Sequence, residues 1–153
     1  MPSITNATNV VRGVVVGYQY VVLRCVPRVE REEFVNVGVV LYAQGADFLD
    51  AAFAVDEARL RSLYPELEVP RVLDALRSVR SVCRGETGRG RPTLDTPGQR
   101  FGWLSAPRST VVQPGPRHGG ICTDPAIELD RLVLSLVSGI RSRDGDRASA
   151  ESS

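Results

Sequence analysis

The sequence predicts an α+β fold in which a small antiparallel sheet is packed by two main helices. Three observations favour this class. The first third of the 153-residue chain contains successive segments rich in β-branched residues. Two later segments carry apolar residues at three- and four-residue intervals, which is the helical spacing. Hydrophobic residues make up 42% of the chain, which is enough for a single core.

The sheet is predicted as a three-strand meander plus one or two later strands. Residues 18–26 are almost all β-branched, aromatic or aliphatic, and Pro27 ends this first strand. Residues 34–42 form the second, with one side made of Val35, Val37, Val39 and Leu41 and the other side containing Asn36 and Gly38. After a turn at 44–46, residues 48–55 alternate again and complete the meander.

The helices are predicted from apolar periodicity and from end signals. Asp56 is a candidate N-cap for a short helix, and Pro70 suits the first turn of a longer one. Gly85 is the candidate C-cap of that longer helix. The last helix is predicted to start at Asp124-Pro125, and its apolar residues are Leu129, Leu132, Val133, Leu136, Val137 and Ile140.

The remaining segments set the predicted domain organisation. Residues 85–98 are poor in large apolar side chains and are expected to form a mobile loop, and residues 101–104 and 110–113 are predicted as later strands. We divide the chain into an N-terminal arm at 1–17, a single α+β domain at 18–140 and a tail at 141–153. The tail is expected to be disordered because it is charged and Ser-rich.

Composition excludes several classes of function. Nineteen basic residues face eighteen acidic ones and leave a net charge of +1, so the overall field does not attract nucleic acid or a membrane surface. No segment approaches the roughly 18 apolar residues of a membrane span, and we expect no secretory leader. Three cysteines without a CxxC pair argue against a disulfide framework. We therefore expect a cytoplasmic protein.

Residues 100–125 (RFGWLSAPRSTVVQPGPRHGGICTDP) hold the single Trp and the single His of the chain among many Pro and Gly residues. Loops of this kind are disproportionately functional. Guanidinium groups bind oxyanions at two points, so the segment predicts a surface for a partner or a small anionic ligand. Together with two polar residues of the sheet, the predicted binding residues are Arg24, Asn36, Arg100, Trp103, Arg108, Ser109, Thr110, Gln113, His118 and Asp124.

Two of the polar residues are candidates for acid/base chemistry. His118 is the residue type most often used for proton transfer near neutral pH. Glu33 either acts as a base or forms an ion pair with Arg24 that fixes the strand register. Trp103 is either a stacking platform for a ring or a core residue. We predict no cofactor and no metal, because a zinc site needs three or four ligands and the single His has only Cys122 near it in sequence.

Several blocks of the sequence resemble a known family. These are YQYVVLR at 18–24, EFVNVGV at 33–39, APRSTVVQP at 106–114, HGG at 118–120 and CTDP at 122–125. In this order they are similar to the bacterial domain-of-unknown-function family 3037. Members of that family are often encoded beside a HipA-like kinase. The resemblance implies a kinase-like partner, and it supplies no catalytic residues.

We therefore expect a small cytoplasmic accessory protein that binds a kinase-like enzyme, or its anionic substrate, through residues 100–124 or the sheet edge. The alternative is a small enzyme acting on a phosphorylated or carboxylated substrate. In that case Arg24, Arg100 and Arg108 form an anion clamp, and His118 or Glu33 is the general acid/base. The accessory role is preferred because the sequence offers no clear set of nucleophile, base and orienting group.

Overall fold

The first three strands form the predicted meander. In the computed structural model, which describes residues 14–88 and 90–139, these are β1 (Val16–Cys25), β2 (Val35–Ala43) and β3 (Phe48–Phe53). All neighbouring pairs are antiparallel. Strand β1 begins at Val16, so Val16 and Gly17 belong to the sheet and not to the predicted arm. The predicted arm up to residue 13 and the predicted tail at 141–153 lie outside the described residues.

Two later strands share the second edge of β1. Strand β4 (Val112–Pro114) pairs with the C-terminal end of β1, and β5 (His118–Cys122) pairs with its N-terminal half. The sheet therefore runs β3-β2-β1, with β4 and β5 side by side on the far edge of β1. Strand β4 was predicted, but at 110–113, two residues before its observed start. Strand β5 was not predicted, because its consecutive glycines hide the alternation that marks a strand.

A β-bulge changes the faces of β2. The register between β1 and β2 shifts by one residue, and Val37 has no partner in β1. Such an inserted residue reverses the alternation of side chains beyond it. Val35 and Val37 accordingly pack in one core, whereas Val39 and Leu41 pack in the other. The prediction that these four residues share one side is wrong, because a regular alternation assumes uninterrupted pairing.

Helices cover both faces of the sheet. Helices α1 (Glu57–Leu63), α2 (Val69–Cys83) and α3 (Pro97–Ser105) lie on one face, and α4 (Pro125–Leu136) lies on the other. The predicted main helices are α2 and α4. Among the described residues, no helix has the length and apolar character needed to cross a bilayer. The buried helical residues are Leu60, Val69, Val72, Leu76, Val79, Val82, Cys83, Phe101 and Leu104 on the first face, and Leu129, Leu132 and Val133 on the second.

The predicted helix ends are confirmed by their hydrogen bonds. The Asp56 carboxylate accepts from the amide of Arg59 at 3.0 Å. The Asp124 carboxylate accepts from two amides in the first turn of α4. Gly85 has a positive φ of 75°, and its amide donates to the carbonyl of Val82, which closes the last turn of α2. These caps are local in sequence, so the sequence was sufficient to locate them.

Helix α3 corrects the prediction of a strand at 101–104. Thr96 and Gln99 form a capping box: the Gln99 amide donates to the Thr96 hydroxyl, and the Gln99 side chain accepts from the Thr96 amide. Phe101 and Leu104 are then one helical turn apart, and both are buried. The segment predicted as a mobile loop also contributes to the core, because Leu94 packs against it.

We predict that Gly38→Ala destabilises the fold, because a Cβ at this position would lie 2.7 Å from the Phe53 ring and 2.9 Å from the Ala52 carbonyl oxygen. Backbone atoms cannot move aside cheaply, so the free energy of unfolding is expected to fall by about 1–3 kcal/mol in urea denaturation. Gly102→Ala is the matched control. It adds a methyl group to open space within α3 and should raise the free energy of unfolding by about 0.5–1 kcal/mol. Equal stability of the two variants would contradict this account of the packing around β2.

Candidate functional site

Three predicted binding residues form a polar row across the sheet. Asn36, Arg24 and Gln113 lie directly opposite one another on β2, β1 and β4. The Arg24 guanidinium lies 4.1 Å from the centre of the Phe34 ring. The Asn36 amide donates to the carbonyl of Leu136 at the end of α4, at 3.0 Å. The row is therefore at the C-terminal end of β1, on the face that α4 covers.

Glu33 does not form the ion pair with Arg24 that the sequence analysis considered. Its carboxylate contacts Arg31 at 2.5 Å, and its side chain is 43% exposed. Arg24 stacks on Phe34 instead. Burial raises the pKa of the nearby Tyr64, and the Glu33 carboxylate raises it further. Tyr64 therefore keeps its proton and remains a hydrogen-bond donor at neutral pH.

His118 is exposed at the start of β5. It lies opposite Tyr20, and the two ring centres are 5.2 Å apart. Cys122 is four residues away along the same strand, which corresponds to roughly 13 Å. A thiolate–imidazole couple or a shared metal ion would need a much shorter distance. The row at Arg24 is also four residues from Tyr20 along β1, so His118 does not join it.

Trp103 is covered by the chain's own cation. The Arg108 guanidinium lies 4.5 Å from the centre of the Trp103 ring and donates to the Trp103 carbonyl. Burial lowers the pKa of Arg108. Trp103 itself packs against the core below α1 to α3. The structure thus favours the core alternative for Trp103 over the stacking platform.

The other predicted residues in the 100–124 segment mostly contact main-chain atoms. Arg100 donates to the Leu94 carbonyl at 3.1 Å and holds the loop after α2. The Thr110 hydroxyl donates to the Val112 carbonyl at 2.7 Å. Asp124 caps α4. Ser109 and Thr110 line a groove. Arg100, in the first half of α3, binds the segment before this helix, and Arg108 binds the carbonyl of Trp103 near its end. The predicted residues therefore occupy several separate places.

A partly buried polar network that the sequence analysis missed attaches α4 to the sheet. The Tyr18 hydroxyl donates to the Glu128 carboxylate, and Arg131 binds the two oxygens of that carboxylate at 2.9 and 2.6 Å. Burial raises the pKa of Tyr18 to about 12, and its hydrogen bond to Glu128 adds to this. The hydrogen bond from Arg131 lowers the pKa of Glu128. Gly120 lies opposite Tyr18, and a Cβ there would come within 2.6 Å of the phenol oxygen.

Exposed apolar residues lie on β5 and just before the start of β1, the strand with which β5 pairs. Ile121 is 73% exposed, because its partner across the strand pair is Gly17, which has no side chain. Val14 and Val15, just before β1, are 49% and 57% exposed. We call these three residues the apolar edge. One side of β5 pairs with β1, and within residues 14–88 and 90–139 its other side pairs with no strand.

A groove of about 710 Å³ lies at the opposite end of β1. It is formed by the segment after β1, the junction of α1 and α2, and the segment before β4. We call it the end groove. Its charged residues are Arg28, Arg31, Arg71, Glu66 and Glu68, and Ser109 and Thr110 are the members that sequence analysis singled out. A separate hollow of about 530 Å³ next to α1 contains Asn36.

Comparison with known proteins gives one match. The model of a family described as protein of unknown function (DUF3037) matches residues 20–137. This range contains nearly all of the blocks that carried the resemblance, and it runs from β1 to the end of α4. No curated protein and no solved structure matches the chain.

We predict that Arg108→Ala exposes the Trp103 ring. Because Trp103 is the single Trp of the chain, intrinsic fluorescence reports on it directly, and its emission is expected to move to longer wavelength. The free energy of unfolding should fall by about 1 kcal/mol with the loss of the cation–π contact. Arg77→Ala, whose side chain is 70% exposed on α2, is the control and should leave the emission unchanged. An unchanged spectrum in Arg108→Ala would show that the contact is absent.

We predict that the Glu128 network makes stability depend on pH. The pKa of Glu128 in the folded state is below its ordinary value of 4.5. Ionised Glu128 therefore stabilises the fold fully above pH 4.5, and this stabilisation is lost as the pH falls through the folded-state pKa. Glu128→Gln should lower the free energy of unfolding by about 1–2 kcal/mol at pH 7 and flatten its decline in acid. Glu57→Gln, in an exposed pair with Arg61, should follow the wild type. A parallel acid profile for Glu128→Gln would contradict the assignment.

Proposed function

We propose, from the premise that the chain belongs to the DUF3037 family, that it is a small accessory protein that binds a partner enzyme and does not itself catalyse a reaction. The partner would bind at β5 and the apolar edge, which include the end of the 100–124 segment. An extended segment of the partner would pair with the free side of β5.

The observation that carries this proposal is the free side of β5. Extended peptides add to sheet edges through main-chain hydrogen bonds, and side chains next to the edge give specificity. An open edge next to exposed apolar side chains is also a hazard for aggregation, so its retention needs a reason. Gly119 and Gly120 leave the strand without bulky side chains, and Ile121 supplies an apolar contact for the partner.

The separation of the candidate catalytic groups supports a binding role over the enzyme alternative. Glu33 lies before β2 and pairs with Arg31, whereas His118 lies on β5 next to Tyr20. The proposed clamp residues Arg100 and Arg108 donate to carbonyl groups of their own chain. A general acid/base and an anion clamp must meet at one substrate, and no contact brings these groups together.

A kinase-like partner and a cytoplasmic location are part of the proposal. The association of family members with a HipA-like kinase makes such a kinase the first partner to test.

The cytoplasmic location is supported by the three cysteines, which are all free thiols. Burial raises the pKa of Cys25 to about 11. Burial is also the main reason that the pKa of Cys83 is raised to about 12. Both thiols therefore stay protonated at neutral pH.

We predict that Ile121→Lys weakens binding to a HipA-like kinase from the same organism. Isothermal titration calorimetry with the purified proteins should show an affinity at least about tenfold lower than that of the wild type, because a central apolar contact is replaced by a charge. The thermal unfolding midpoint should not change, since the side chain is 73% exposed. Leu134→Lys, at a 45% exposed position on α4, is the matched control and should bind like the wild type.

The outcomes separate the two parts of the proposal. If the wild type binds the kinase and Ile121→Lys binds equally well, the apolar edge is not the binding surface. If the wild type does not bind the kinase, the proposed partner is rejected. Turnover of a phosphorylated or carboxylated substrate that is abolished by His118→Ala would favour the enzyme alternative over the accessory role.

A further inference from the structure

The end groove is a second recessed surface, separate from the apolar edge. Strand β1 has ten residues, so its two ends are roughly 30 Å apart. The apolar edge adjoins the start of β1, and the end groove adjoins Val26 and Pro27 just after its end. A ligand in the end groove would therefore leave β5 accessible. The groove has a volume of about 710 Å³, within the range of small-molecule sites.

Apolar side chains line part of the end groove, and we call this part its floor. It includes Val26, Leu63, Leu67 and Val111. The amide of Val26 donates to the carbonyl of Val111 at 2.8 Å, which joins the two segments that form the floor. Leu63 is 52% exposed. A large apolar side chain exposed inside a recess favours a ligand with an apolar part, because burying that surface releases its hydration water.

The charged and polar residues that line the rest of the end groove, which we call its rim, are of both signs. The guanidinium of Arg28 is only loosely held, at 3.8 Å from Glu66, and both side chains are more than half exposed. Arg31 is occupied by Glu33. Arg71 makes no ion pair with any residue in the part of the chain that the structure describes. The exposed Ser109 also lines this groove. The guanidinium of Arg71 and the hydroxyl group of Ser109 therefore belong to one recess.

We propose that the end groove binds a small organic anion. Its phosphate or carboxylate group lies at Arg71, assisted by Arg28 and the hydroxyl of Ser109, and its ring or chain lies on the apolar floor. Guanidinium groups bind such oxyanions at two points, and hydroxyl groups donate to the remaining oxygen. Three arginines and two glutamates leave the rim with little net charge, so a bare anion gains little there. Binding therefore requires both parts of the ligand.

The test titrates the ¹⁵N-labelled protein with phenyl phosphate and, separately, with benzoate. At least one of them should shift the amide resonances of Arg71, Ser109 and Thr110 and leave those of β5 unchanged. Phenol carries the ring without the anion, and inorganic phosphate carries the anion without the ring. Each of these fragments should bind at least about tenfold more weakly than the better organic anion. Equal binding by a fragment, or no shift with either organic anion, overturns the proposal.

Arg71→Gln should weaken binding of the better organic anion about tenfold, because a charge-assisted hydrogen bond is lost. Arg71 is exposed, so its thermal unfolding midpoint should match that of the wild type. Arg61→Gln is the control: Arg61 is an exposed residue of α1 that pairs with Glu57 and does not line the groove. Unchanged affinity in Arg71→Gln, or equal losses in both variants, would overturn the assignment of the anion to Arg71.

Discussion

Backbone pairing along both edges of β1 holds the other elements in place. Strand β2 occupies one edge, while β4 and β5 divide the other between them. Because side chains alternate along a strand, Val21, Leu23 and Cys25 enter the core below α1 to α3, and Tyr18 enters the core below α4. One strand thus contributes to both cores. The end groove adjoins the end of this strand, and the apolar edge lies at its start and on β5, which pairs with its second edge.

The bulge in β2 explains where the polar row lies. Before the bulge, the valines of β2 face α1 to α3, and Asn36 faces the end of α4. Beyond it, Val39 and Leu41 face α4 and build the second core. With uninterrupted alternation from Asn36, the residues facing α4 would instead be Gly38, Val40 and Tyr42. The bulge therefore lets α4 pack on apolar side chains and end next to the polar row.

Two arginines in the C-terminal half of the chain form hydrogen bonds to other residues of the chain. Arg108 donates to the Trp103 carbonyl, and Arg117 donates to the Ser105 hydroxyl, so both cations lie near the C-terminal end of α3. Cations are stabilising there because the last carbonyl groups of a helix carry partial negative charge. Guanidinium groups engaged in this way are less available to a ligand, which directs attention to Arg71 at the end groove.

The sequence by itself determined the fold class, the meander, the caps at Asp56, Gly85 and Asp124, and the family. These features depend on residues close together in the chain. The capping box of Thr96 and Gln99 is local as well, and its pattern in the sequence could have predicted the start of α3. Only the tertiary structure decided the bulge, the pairing of β5 and the grouping of the polar residues. The physical reason is that pairing register and packing bring together residues far apart in the chain, as with Tyr18 and Glu128, and no local pattern encodes that contact.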